Sequence, residues 1–384
     1  MKAKVLVIIP DSNLGGVTSS AVNFCTELVR NGYMVDVLVQ NGTKLPLNVT
    51  VGYLKLKGLG KFWKLGFSDF KKATLWMIPV LLILSILKKG LIRCNLWYPF
   101  VFLFSKIRTD YDVVVAYRQC APCYYFATHC VSAGKKISMI HGDYSDKDDY
   151  SSWDFMMGDF DYNVCVSDAC TKAWRNHYPA MAGKFSTLYN MFDVQEIIKS
   201  SKKKDIVDFC INTVNLISIA RIENALKNID RIPETCFRLK KEGIPNFHWY
   251  VVGDGPDFDI DKRLAEKYGV SDVLTFCGCR SNPFPLLAKA DLFVLTSSSE
   301  SYGMVLKEAL ILGKPVVAMR YPALSEIIED GINGLIAEQN VDSLTSQICL
   351  MLQDDKKLLK IMEDNIKLQE VTNVQALKQF ESLL

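Results

Sequence analysis

"KAKVLVIIPDSNLGGVTSSAVNFCTELVRNGYMVDVLVQ", residues 2–40, decides the fold class. Val5 to Ile9 is a short apolar run rich in β-branched residues, the pattern of a strand buried on both faces of a parallel sheet. A helix is predicted after Gly15-Gly16, with Phe24, Leu28 and Val29 on its inner side and Asn31-Gly32 as its stop. Val35 to Val39 then resumes the strand pattern. Strand, helix and strand make a βαβ unit, the building block of a doubly wound α/β sheet. The two glycines lack the GxGxxG spacing of a dinucleotide site. Gln40 and Asn41 stand where a nicotinamide site wants an acid, and Asp36 comes too early. The helix start at Gly16 therefore suits an anion without implying a nicotinamide cofactor.

The same alternation returns from residue 214. "VNLISIAR", "FHWYVVG", "VLTFCG", "DLFVLTS", "PVVAM" and "GLIAE" read as strands with helices between most of them, a second doubly wound lobe. The lysine-rich stretch at 197–209 reads as the link between lobes, and the tail from 342 to 384 as helical throughout. A chain of 384 residues is long enough for two or three such domains. Its net charge of +3 is too small for a nucleic-acid binder that relies on bulk charge.

The 12 cysteines are scattered, and no secretory leader is expected before the first strand. Free thiols in a reducing cytoplasm are expected. Neither Cys120/Cys123 nor Cys277/Cys279 has a second pair at zinc-binding spacing, and the 4 histidines show no paired arrangement. No metal site is expected.

Residues 61–108 break the pattern. "KKATLWMIPVLLILSILKKG" sets an apolar run between two lysine pairs, too short for the ~20 residues that cross a bilayer. Two readings stand. It is a buried helix, or it lies at a membrane interface with Lys71, Lys72, Lys88 and Lys89 on anionic headgroups. In the second reading Trp63, Trp76, Trp97 and Tyr98 enter the boundary.

Ligands of open parallel sheets collect at the carboxyl ends of the strands. There the second lobe places Arg221, Lys227 and Asn228; Gly253, Asp254 and Gly255; Arg280; and Ser299, Glu300 and Gly303. A guanidinium fork and a point charge beside a helix amino end suit a diphosphate. A helix predicted over 301–312 would put Gly303 in its first turn, where a ligand can approach the exposed backbone amides. Glu300 and Glu308 lie eight residues apart, about 12 Å along a helix. One carboxylate could then hold sugar hydroxyls and the other ribose hydroxyls.

"SSSESYGMVLKEALILGKPVVA" also resembles the nucleotide-sugar signature of the family-four glycosyltransferases. "SIARIENALKNIDR", "WYVVGDGP", "VLTFCGCRSNPF", "ADLFVLTS" and "EIIEDGINGLI" follow in that family's order, and "MIHGDY", Ser167 and "LYNMFD" extend the likeness thinly into the first lobe. The resemblance implies a GT-B fold of two Rossmann-like lobes with an inter-lobe cleft, and retaining transfer in bacterial capsule, lipopolysaccharide or exopolysaccharide synthesis. Residues 1–200 would hold the acceptor, residues 210–365 the nucleotide sugar, and residues 366–384 would pack back on the first lobe. Arg221 and Lys227 would take the diphosphate, Glu308 the ribose, and Glu300 the transferred sugar, with the backbone of Gly303, Met304 and Val305 beside it. Gly16 would approach the phosphates, His141 the donor sugar, and Arg280 the base. Gly253 and Asp254 would line the donor site. Arg221 and Lys227 stand six residues apart where the family sets five, so the loop between them must bulge.

DxD strings occur at Asp159/Asp161, Asp257/Asp259 and Asp259/Asp261, without the context of a metal-dependent transferase. The expected activity is transfer of a hexose or N-acetylhexosamine from a nucleotide sugar, a UDP-sugar above all, to a saccharide or lipid-linked saccharide. No cofactor or metal would be required, and the protein would be cytoplasmic or peripheral on the cytoplasmic membrane face. A same-fold nucleotide-sugar epimerase and a non-catalytic sugar-nucleotide binder are the alternatives.

Overall fold

The computed structural model describes residues 2–384 apart from 12–14, 42–43, 48, 55–76, 94–95, 97–99, 101–106, 143–153, 205–206, 208, 245, 354–355 and 369–371. The chain divides into two α/β units, one of residues 1–192 with 373–384 and one of residues 193–372. Lys71, Lys72, Trp63, Trp76, Trp97, Tyr98, and Asp143 and Tyr144 of "MIHGDY" lie outside the described residues.

The first unit is built on a parallel sheet of seven strands: β1 (Lys4–Asp11), β2 (Met34–Asn41), β3 (Gly52–Leu54), β4 (Ile107–Ala116), β5 (Val131–Ile140), β6 (Tyr162–Cys165) and β7 (Phe185–Thr187). Their order is β3-β2-β1-β4-β5-β6-β7. β1 is central, with Val5 paired to Val35 on one side and to Val113 on the other. That placement explains its unbroken apolar run, since Val5 to Ile9 are all buried. Helix Gly16–Arg30 covers the sheet through Phe24 and Leu28, Val29 is half-buried, and Gly32 at φ 84° reverses the chain after Asn31.

The second unit has six parallel strands: β8 (Val214–Ile219), β9 (Phe247–Val252), β10 (Leu274–Gly278), β11 (Leu292–Leu295), β12 (Val316–Met319) and β13 (Gly334–Ala337). Their order is β10-β9-β8-β11-β12-β13. The order reverses between β1 and β4 in one sheet and between β8 and β11 in the other. Each reversal opens a crevice at the carboxyl edge.

Two sequence expectations need correction. The start of the lysine-rich link forms a helix, Val194–Ser201, so the units divide between Phe192 and Asp193. Asp193 caps that helix by accepting from Glu196 N at 3.0 Å, and Ser200 O accepts from Asn282 Nδ2 at 3.0 Å. The tail is three helices, Val341–Leu352, Lys357–Leu368 and Val374–Glu381, rather than a continuous helical stretch.

The last of these helices docks on the first unit. Phe380 is fully buried, edge-on to Phe24 at 5.4 Å and to Tyr33 at 5.6 Å. Gln379 Oε1 accepts from Tyr189 N at 3.0 Å, and the Asn373 side chain pairs with both backbone groups of Phe192.

Helix Ile78–Arg93 buries one side and exposes another. Leu81 and Leu84 are buried in the core of the first unit, with Leu91 packed against it. Val80, Leu82, Ile83, Ile86 and Leu87 are exposed, Ile86 at 74%. Among the described residues no helix is long and apolar enough to cross a membrane.

Phe380→Ala should destabilise the first unit by about 3–5 kcal/mol, the usual cost of deleting a buried aromatic. Denaturant unfolding checks this, and a loss below about 1 kcal/mol would show that the terminal helix contributes little to the core.

Candidate functional site

At the β8/β11 reversal the chain leaves β8 and reaches Arg221, whose side chain is 69% exposed and whose Nε lies 3.4 Å from Glu223. One turn of helix follows, Asn224–Lys227, closed by Asn228 in the left-handed region at φ 48°. This turn ends by presenting Lys227 across the crevice, where Nζ donates to Glu300 Oε1 at 2.6 Å. Both side chains are largely shielded, at 23% and 17% exposure. Ser297 Oγ donates to the same carboxylate oxygen at 2.8 Å. Backbone stitching fixes the approach, since Ser298 N donates to Leu226 O at 2.9 Å and Thr296 Oγ1 to Lys227 O at 2.6 Å. The structure thus brings Lys227 and Glu300 together. No described hydrogen bond or ion pair joins Arg221 or Arg280 to them.

The helix after Glu300 differs from expectation. It runs Met304–Ile311, with Gly303 as its cap in the left-handed region at φ 90° rather than inside its first turn. A Cβ on Gly303 would fall 2.3 Å from the Tyr321 hydroxyl, which donates to Tyr302 O at 3.1 Å. Glycine is therefore required there both by conformation and by space. Glu300 stands in the preceding loop, so the helical spacing predicted between Glu300 and Glu308 does not hold. Met304 and Val305, both half-buried, open the helix.

Glu308 lies in its second turn. Among the described residues its carboxylate has no hydrogen-bond or ion-pair partner, and burial alone pushes its pKa up to about 7. An unpaired acid in such a place is poised to accept hydroxyl hydrogen bonds from a ligand.

Gly253 and Asp254 brace the turn from below. A Cβ on Gly253 would lie 1.8 Å from Ala220 O, so only glycine lets the two loops touch. Asp254 O accepts from Ile222 N at 3.0 Å, and its side chain accepts from Gly255 N at 2.8 Å. Arg280 follows β10, two strands out from the reversal. Its Nη1 donates to Cys279 O at 3.1 Å, and its Nε is buried without a described partner.

The first unit gathers its own candidates at the β1/β4 reversal and the neighbouring end of β5. Among the described residues helix Gly16–Arg30 has no side-chain cap hydrogen bond at Gly15, and a Cβ on Gly15 or Gly16 would meet nothing within 4 Å. His141 follows β5, its backbone N donating to Gln119 Oε1 at 3.1 Å and its ring 5.0 Å from Tyr117. Burial, helped by the charge of Arg118 and opposed by a hydrogen bond with the Tyr117 backbone, lowers His141 to about 4. The ring is neutral at physiological pH, with Nε2 buried and unpartnered among the described residues. Tyr117 Oη and Ser20 Oγ share a hydrogen bond of 2.8 Å, and Ser20 donates to Asn190 Oδ1 at 2.5 Å. Tyr117 and Gln119 were not singled out in the sequence. Their signal is "YRQ" at the carboxyl end of β4, where ligand-facing groups collect.

Among the described residues no group of His, Cys, Asp and Glu could hold a metal ion. The described cysteines are all free thiols.

Residues 210–369 match the family described as "Glycosyl transferases group 1". N-acetyl-alpha-D-glucosaminyl L-malate synthase of Bacillus anthracis is 32% identical over 117 residues, 30% of this chain and 31% of the relative. The lipopolysaccharide core biosynthesis glycosyltransferase LpsE of Rhizobium meliloti is 36% identical over 95 residues, 25% of this chain and 28% of the relative. The chain thus matches about a third of the length of these curated relatives. Over its whole length it superposes on a mutant S. aureus TarM, solved with Fondaparinux, alpha-GlcNAc-glycerol and UDP. The TM-score is 0.72 at 15% identity, covering 100% of this chain and 99% of that one. The fold is GT-B.

Glu308→Gln tests the desolvated acid without a ligand. A folded-state pKa raised to about 7 means that the charged form costs stability, a cost absent at low pH and growing as pH rises from the ordinary carboxylate range through 7. The variant should therefore match wild type at pH 4.5 and exceed it by at most about 2–3 kcal/mol above pH 8. Thermal unfolding across that range reads the difference. A constant offset at every pH would place the carboxylate in water.

Proposed function

We propose that the protein is a retaining glycosyltransferase that moves a hexose or N-acetylhexosamine from a UDP-sugar to a saccharide or lipid-linked saccharide acceptor in surface polysaccharide synthesis. The observation that carries this reading is the Lys227–Glu300 pair beside the Gly303-capped helix. Lys227, Arg221 and the amides of Met304 and Val305 bind the diphosphate, a cation pair and a helix amino end acting together. Glu308 accepts from the ribose hydroxyls. Glu300 holds the sugar. Arg280 serves the base through the loop after β10. The first unit takes the acceptor, with Gly16 meeting phosphate and neutral His141 the sugar.

In the step itself the bond from the anomeric carbon to the diphosphate oxygen breaks. The acceptor oxygen bonds to the same face of that carbon, and the acceptor proton passes to a leaving-group oxygen. The cations stabilise the charge that develops on the diphosphate, so no resident metal is needed.

The TarM neighbour was solved with UDP, which supports the choice of nucleotide. The LpsE relative, a lipopolysaccharide core biosynthesis glycosyltransferase, supports a saccharide acceptor.

A panel of nucleotide sugars assayed with chelator present tests the reading. Activity should persist, Glu308→Ala should mainly raise KM, and Glu300→Ala should mainly lower kcat. Losing one charged hydrogen bond costs about 1.5–3 kcal/mol, or 10- to 100-fold. Strict dependence on Mn²⁺ or Mg²⁺, or wild-type kinetics in both variants, would contradict it.

We further propose that the protein works at the cytoplasmic membrane face. Helix Ile78–Arg93 is apolar nearly all round, yet one side of it is solvent-exposed. Lys88 and Lys89 stand near its end, and the sequence carries no carboxylate between Asp69 and Asp110. Such a segment suits the surface of an anionic bilayer. Flotation with anionic vesicles should recover the protein at low salt, less at high salt, and little of an Ile83→Asp/Ile86→Asp variant. Equal recovery with zwitterionic vesicles, or none with either, would contradict membrane docking.

A further inference from the structure

Helix Phe258–Tyr268 carries an acid where its core-facing side should be apolar. Asp261 and Ala265, one turn apart, are its buried residues, and Asp261 has no exposed surface at all. Its Oδ2 is buried without a hydrogen-bond partner among the described residues. Burial and the negative charges of Asp230 and Asp257 push its carboxyl up to about 6, against the opposing hydrogen bond from Asn224. A leucine or alanine there would avoid both the desolvation and the repulsion. The acid is expensive, so what it touches matters.

It touches Asn224. The Asn224 side chain donates through Nδ2 to Asp261 Oδ1 at 2.7 Å, and its backbone N donates to Asp257 Oδ2 at 2.7 Å. Its Oδ1 accepts from Asp230 N at 3.2 Å. Asn224 opens the single helical turn that ends in Lys227. Around it the two loops are already in backbone contact, Ile222 N donating to Asp254 O at 3.0 Å and Asp257 N to Ile222 O at 3.3 Å. That ladder stops at Ile222. From there to Lys227 the attachments of the turn to this helix are the two Asn224 bonds. A four-residue helix has too few internal hydrogen bonds to hold its own shape. Asp261 and Asp257 therefore hold the amino end of the turn, while Ser298 and Thr296 hold its carboxyl end at Leu226 and Lys227.

We propose that Asp261 is a positioning residue that acts through Asn224 to hold the Arg221–Lys227 turn in the geometry that binds a diphosphate. The inference rests on the nucleotide-sugar reading of this site. It also makes a claim about the free protein, which can be tested without any ligand.

Three variants separate the roles. Asp261→Leu fills similar space and removes the acceptor, Asp261→Asn keeps a carbonyl acceptor of the same shape, and Asn224→Ala removes the donor. UDP and uridine are titrated calorimetrically into each, and amide exchange across residues 221–228 is followed in the free proteins. Asp261→Leu and Asn224→Ala should bind UDP at least tenfold more weakly while uridine binding stays within twofold, because only the phosphate contacts depend on the turn. Asp261→Asn should restore UDP binding to within about threefold of wild type. Asp261→Leu should be no less thermally stable than wild type at pH 8, so its weaker binding cannot be ascribed to unfolding. Amides of the turn should exchange faster in Asp261→Leu and Asn224→Ala alone.

UDP binding by Asp261→Leu at wild-type strength, or equal loss for UDP and uridine, overturns the positioning role. Unchanged exchange in the turn overturns it as well. If wild type binds no UDP, the nucleotide-sugar reading fails, and the exchange measurement still decides whether Asp261 holds the turn.

Discussion

The ion pair between Lys227 and Glu300 is the constraint on which the second unit depends. The lysine arrives from β8 and the glutamate from β11, the two strands flanking the reversal in strand order. The pair therefore closes the crevice that the doubly wound topology opens. At 23% and 17% exposure it is too shielded to be a surface pair of negligible value, and too accessible to carry the full cost of a buried one. Each charge neutralises the other in the free protein. On the proposed function the donor would replace that arrangement, its diphosphate taking the cation and its sugar hydroxyls taking the carboxylate. Glu308 has no such partner among the described residues, and burial raises its pKa.

Around the pair the backbone is built for close approach. Gly253 admits Ala220 O where a side chain would collide, and Gly303 admits the Tyr321 hydroxyl at the mouth of helix Met304–Ile311. These glycines position neighbours, so their loss would act through the loops they bring together rather than through any contact of their own. The same logic applies in the first unit, where Ser20, Tyr117 and Asn190 tie the amino end of helix Gly16–Arg30 to the strand ends beside His141.

The βαβ start was legible because β1 is buried between β2 and β4 and must read as a continuous apolar run. The strand-end positions of Arg221, Lys227 and Glu300 were legible because strand ends can be counted from such runs. The pairing of Lys227 with Glu300 was not. It depends on a one-turn helix and a left-handed Asn228, set by hydrogen bonds to residues distant in sequence. Gly303 was placed one turn too deep because a glycine suits a first turn and a cap equally until its φ and the nearby Tyr321 are known. Helix Ile78–Arg93 could not be oriented from sequence for a different reason. Apolar residues occupy nearly every side, so no periodicity says that Leu81 and Leu84 turn inward while Ile83 and Ile86 turn out.

Calorimetric titration of UDP into wild type, Lys227→Ala and Glu300→Ala, with chelator present, tests the central claim most directly. The account predicts that wild type binds UDP without added metal and that Lys227→Ala binds at least tenfold more weakly. Glu300→Ala should bind as tightly as wild type or more so, because removing the carboxylate frees the lysine for the diphosphate. No binding by wild type, or equal affinity in wild type and Lys227→Ala, would contradict it.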